Sequence, residues 1–185
     1  MHQSKAYPSQ NGITELRNKG NIRYNEMKKI MIIALMGLMA IGEARSQEIY
    51  NQVVANAKQV IDDPKSDSFI IAVAQFKYTA MQYLCSTAIK QNGQVEGDLL
   101  DRQAVALNNF IISYFGELVK AQKSSDSTQK DIMKRYWRAC NNNPMFANQD
   151  REITDAFIND PDCITPFSIN TNWELANQTI SEKKK

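Results

Sequence analysis

Histidine occurs once in the 185 residues, at position 2, and the chain holds only seven glycines, five prolines and three cysteines. These scarcities narrow the chemistry before any motif is considered. With no imidazole beyond His2, the body of the chain can build neither a Ser-His-Asp nor a Cys-His centre, neither an H-E-x-x-H zinc site nor a His-ligated haem. The glycines beyond position 46 are Gly93, Gly97 and Gly116, and none completes G-x-x-x-x-G-K-S/T or G-x-G-x-x-G, the loops that cradle nucleotide phosphates. No C-x-x-C pair supports redox catalysis. Asp160-x-Asp162 begins like a calcium loop but lacks the glycine and the closing glutamate that such a loop needs. The expectation is therefore no metal, no cofactor and no catalytic set.

Long apolar runs are equally scarce. The one unbroken run, residues 30–42, follows Lys28 and Lys29 and gives way to small and charged residues, with Ala44 and Ser46 in A-x-S spacing before Gln47. It is about thirteen residues long, whereas a helix spanning a bilayer needs roughly 20. Charge, run and small residues in this order read as a signal peptide over 27–46, cut between Ser46 and Gln47. The expected destination is the periplasm or the exterior, with no membrane span after cleavage. Residues 1–26 are polar, carry Pro8, Gly12 and Gly20, and show no sustained period, as in a disordered extension or a start assigned upstream of the true one at Met27.

Cleavage changes the arithmetic of what remains. The first 46 residues hold His2 and seven Lys and Arg against three Asp and Glu, so the formal charge moves from +2 to −2. The basic lean belongs to the leader, and no nucleic-acid partner is expected. Residues 47–185 suffice for a single domain burying about two-thirds of its unfolded surface.

Within that domain the apolar period is helical. Ile49, Tyr50, Val53, Val54, Ala57, Val60 and Ile61 mark a first amphipathic helix, which Asp62-Asp63-Pro64 ends, with Asp63 and Pro64 as cap and first residue of the next. The second helix, about 64–91, is apolar round much of its circumference and closes at Asn92-Gly93. The third, about 99–123 with Asp98 as cap, carries Leu100, Ala104, Leu107, Ile111, Tyr114 and Leu118 in alternating steps of four and three. A fourth helix, capped by Asp126 or Ser127, is expected to bury Ile132, Met133, Tyr136, Trp137 and Cys140. A short fifth spans about 150–159, and Thr171-x-x-Glu174 reads as a capping box for a C-terminal helix after an irregular stretch. The fold expected is all-α: a small helical bundle built on a long antiparallel two-helix hairpin, with three or four shorter helices and an irregular C-terminal segment.

Three groups of residues stand out as candidate sites. Export permits disulfides, and Cys140 with Cys163 is the preferred pair, because Cys163 lies in a proline-flanked segment that needs tethering; Cys85 with Cys140 is the rival and three buried thiols the third state. Lys130, Lys134 and Arg138 recur at four-residue spacing with Arg135 beside them, a candidate anion-contact patch; the plainer reading pairs Asp131 with Arg135 and leaves the lysines as a solvated face. Asp150, Glu152, Asp155, Asp160 and Asp162 supply carboxylates in number, but surface acids around a short helix usually serve as solvated or capping groups. The resulting expectation is an exported interaction module that binds an unidentified protein or envelope partner, with oligomerisation open, rather than an enzyme. The alternatives are a small carboxylate-dependent hydrolase acting on envelope polysaccharide and a chaperone-like bundle carrying an apolar ligand.

Overall fold

Residues 47–147 and 167–182 are described by a computed structural model. Over those residues the chain is a bundle of α-helices: α1 Glu48–Asp62, α2 Ser68–Asn92, α3 Gly97–Lys120, α4 Asp126–Asn141 and α5 Trp173–Glu182, with a single 3-10 turn, Ala121–Lys123, after α3. The fifth helix expected near 150–159 lies outside the described residues.

The helices form where the periodicity places them, but several begin at a different cap. Asp63 does not start α2. Its carboxylate accepts from the Lys65 amide at 2.9 Å and the Ser66 hydroxyl at 3.4 Å, closing a local turn. The helix starts later, at the next free aspartate: Asp67 accepts from the Phe69 amide at 2.8 Å. Gly93 ends α2 as expected, in the left-handed region with φ 74°, its amide donating to the Ile89 carbonyl at 2.8 Å. In α3 the cap position is Glu96, and Asp98 stands inside the first turn, where a carboxylate meets the positive end of the helix dipole. The capping box at the start of α5 is also displaced by a residue. Asn172, not Thr171, accepts from the Leu175 amide at 3.2 Å, while the Thr171 hydroxyl donates to the Ser168 carbonyl at 2.7 Å.

The helix α1 has no cap of its own. Gln47 precedes it with φ 74° and no side-chain capping bond. Asp101, buried on α3, instead accepts from the Tyr50 amide at 2.8 Å, so the cap is supplied across the bundle.

The bundle centres on α3, which packs against each of the other four helices; α2 lies chiefly along α1 and only lightly against α3. Aromatic rings fill the middle. Phe167 and Trp173, both fully buried, enter between α2, α3 and α4, and Phe167 meets Phe76, Phe110 and Tyr114 edge-on at 5.9, 5.1 and 4.9 Å. Trp173 meets Phe76 at 6.0 Å and Phe110 at 5.5 Å, and Tyr136 closes the cluster on Phe110 at 5.1 Å and Tyr114 at 5.2 Å. Edge-to-face pairs of this kind add about 0.5–1.5 kcal/mol each beyond the area they bury.

Buried polar groups tie the C-terminal segment to this centre. Asn170 accepts from the Phe146 amide at 3.1 Å and donates to the Phe146 carbonyl at 3.0 Å, so its side chain pairs like a strand residue. Gln103, fully buried on α3, accepts from the Trp173 amide at 2.8 Å and donates to Asn172 at 3.1 Å and Glu174 at 3.2 Å. The start of α5 is thereby held by α3.

Candidate functional site

The second helix is apolar round much of its circumference, and the third carries a long apolar seam. In the described structure α1 and the segment ending in α5 cover them: Ile70, Val73, Phe76, Ala80, Met81 and Leu84 on α2 and Leu100, Leu107, Phe110, Ile111 and Tyr114 on α3 are all buried. The large apolar side chains that remain exposed among the described residues are Ile89, Met133, Trp137 and Leu175. Two of these, Met133 and Trp137, are each 40% exposed and lie one turn apart on α4.

This corrects the expected orientation of α4. Ile132, Tyr136 and Cys140 are buried as foreseen, but Ala139 joins them in place of Met133 and Trp137. The reason is tertiary. The expected arc is wider than one neighbour can cover, and α5 docks on the Ala139 side, where Asn143 donates to the Ala139 carbonyl at 2.8 Å and to the Thr179 hydroxyl at 3.0 Å.

A polar lock on the inner side fixes that orientation. The Tyr136 hydroxyl donates to Glu117 Oε1 on α3 at 2.7 Å, and the Ser113 hydroxyl lies 2.6 Å from the same phenol oxygen. Because the phenol proton is committed to Glu117, Ser113 is the donor in that contact. Arg135 forms an ion pair with the other Glu117 oxygen. Burial raises the Tyr136 pKa above its ordinary value; the Ser113 contact opposes this and the Glu117 carboxylate reinforces it. The expected Asp131–Arg135 pair gives way to Glu117, whose carboxylate also accepts the hydrogen bond from the Tyr136 hydroxyl.

Arg135 therefore leaves the candidate anion patch, and three cations remain on it. Lys130, Lys134 and Arg138 are exposed, and no carboxylate among the described residues lies in ion-pair range of any of them. They form one row along the helix at intervals of about 6 Å, and Met133 and Trp137 form the adjacent row. Asp131 stands on the far flank, on the same side as the neutralised Arg135.

A second feature was not legible in the sequence. An open cleft of about 590 Å³ is lined by Ile49 of α1, Asp101, Arg102, Val105, Ala106 and Asn109 of α3, and Glu174 and Asn177 of α5. Its two acids come from positions 73 residues apart and meet only through packing. Both are engaged: Asp101 holds the Tyr50 amide, while Glu174 accepts from Gln103 and lies 3.5 Å from Arg102 Nε.

The expected Cys140–Cys163 bridge is not observed. Cys140 is a free thiol, fully buried, and burial raises its pKa above the ordinary value. Cys85 is also free, so the rival bridge is absent too. Cys163, Ser46 and the acids at 150, 152, 155, 160 and 162 lie outside the described residues. Gln47, the expected first residue after cleavage, immediately precedes α1.

Among the described residues no group of His, Cys, Asp and Glu could hold a metal ion, and no helix is long and apolar enough to cross a membrane. No protein-family model matches the chain, and no curated protein or solved structure is significantly similar to it.

Proposed function

We propose that the protein is an exported binding module that works by non-covalent contact through the outer face of α4. The observation that carries this reading is the exposed pair Met133 and Trp137 beside three cations that have no ion-pair partner among the described residues. Elsewhere the described core is filled, and an exposed tryptophan held in place by an inner polar lock is a contact residue by chemistry, apolar in its body and able to donate from its indole. Export rests on the residue order over 27–46. A chain beginning at Gln47 keeps the whole of α1 and the cap that Asp101 gives it.

Site-specific photocross-linking in the producing cell tests the contact face. A benzophenone amino acid replacing Trp137 is expected to give discrete adducts, and the same group replacing Gln59, exposed on α1, is expected to give none. Equal labelling from both positions sinks the proposal. N-terminal sequencing of the native protein tests the address, with Gln47 expected.

A second reading has one observation in its favour. Asp101 and Glu174 share the cleft, as a polysaccharide hydrolase using two carboxylates would require. It ranks second because each carboxylate already accepts from structural donors. Release of reducing sugar from envelope glycan by the native protein, abolished in Glu174→Gln, would raise it to first place. The expectation of an apolar ligand held between helices has less behind it, since Phe76, Phe110, Tyr114, Phe167 and Trp173 occupy that space.

A further inference from the structure

We infer that the face of α4 docks on an anionic phospholipid surface, with the helix lying flat and Trp137 at headgroup depth. The inference rests on the reading of this face as the contact surface and names its partner. Two properties of the face point to lipid. The first is charge: Lys130, Lys134 and Arg138 are exposed and unpaired among the described residues, and a negative surface is their complement. The second is the apolar row beside them. A soluble polyanion would satisfy the cations and leave Met133 and Trp137 in water. A lipid surface offers anionic headgroups above hydrocarbon, so both rows find partners in one plane, and tryptophan favours that boundary.

The rest of the helix fits a flat approach. Ile132, Tyr136, Ala139 and Cys140 stay buried in the bundle, so docking needs no unfolding. Of the acids of the region, Glu117 is bound to Arg135 and Tyr136, and Asp131 is on the opposite flank of the cation row; Asp126 shares the face of Met133 but stands at the exposed start of the helix, seven residues or about 10 Å ahead of it. With no helix among the described residues able to cross a bilayer, the contact through α4 is peripheral.

Vesicle flotation with the native protein, its N-terminus established by intact mass, provides the test. Vesicles of phosphatidylcholine alone are compared with equal parts of phosphatidylcholine and phosphatidylglycerol. Binding is expected only to the anionic vesicles, with loss in high salt and a roughly hundredfold weakening when Lys130, Lys134 and Arg138 are all replaced by alanine. The same variant controls for any contribution from an uncleaved leader. Tryptophan emission supplies an independent readout. Trp173 is fully buried already, so a blue shift on binding reports Trp137 alone and should vanish in Trp137→Phe. Lys134→Glu, a single exposed change, serves should the triple variant fold poorly. Unchanged emission, or equal binding by the charge variants, overturns the lipid assignment. Binding to inorganic polyphosphate but not to vesicles, or cross-links from position 137 without vesicle binding, also overturns it and leaves the contact face intact. Failure of all three assays removes both.

Discussion

Replacing Lys77 by methionine is expected to stabilise the protein near neutral pH. Lys77 sits in the centre of the buried stripe of α2: Ile70, Val73 and Ala74 precede it by one and two turns, and Ala80, Met81 and Leu84 follow at the same spacing. It has no acidic partner among the described residues. Burial lowers its pKa from 10.5 to about 8. A displacement of that size corresponds to an upper limit of about 3 kcal/mol. Lys77 keeps part of its surface in contact with solvent, which reduces the expected cost to about 1–2 kcal/mol. Methionine fills the path of the lysine stem without carrying a charge. The pH dependence separates this cause from ordinary repacking. Below about pH 8 the folded and unfolded chains both hold the proton and the cost is fully present. Between about 8 and 10.5 the unfolded chain binds more protons than the folded one, so wild-type stability rises with pH relative to Lys77→Met. Urea unfolding followed by circular dichroism at pH 7 and pH 10 should show the advantage of the variant shrinking. A variant less stable at pH 7, or an advantage independent of pH, refutes the reasoning.

Three further outcomes follow from the contacts described. Asp101→Ala removes the cap that α3 supplies to α1 and should cost about 1–2 kcal/mol, read as a lower urea midpoint with no change in slope. Trp173→Ala opens the aromatic centre and should cost about 3–5 kcal/mol; a loss below about 1 kcal/mol would show that the cluster does not organise the core. Maleimide labelling resolved by peptide mass should modify Cys85, which is partly exposed, in the native protein, and Cys140 only on unfolding. Native labelling of Cys140 at the rate of Cys85 would show that the α4–α5 contact opens readily.

Helix content and helix positions were legible because the apolar period of α1, α2 and α3 is strong and local. Caps were less so, since Asp63, Asp67, Asp98, Thr171 and Asn172 all have the right chemistry and the choice depends on which is already engaged. Asp101 is the clearest case. As a polar residue on a helix it carries no signal that its carboxylate caps a helix beginning 53 residues earlier. The candidate site was half legible. Four-residue spacing placed Lys130, Lys134 and Arg138 on one face, but the same period assigned Met133 and Trp137 to the core and Arg135 to the patch.

Composition and local pattern alone determined the all-α class and the places of the long helices. Tertiary packing decided which side of α4 meets solvent, because α5 covers the Ala139 flank and Glu117 captures Arg135 and Tyr136 from another helix. A helical period specifies which residues share a face. Only the neighbouring elements, brought together from distant parts of the chain, specify how much of that face is covered.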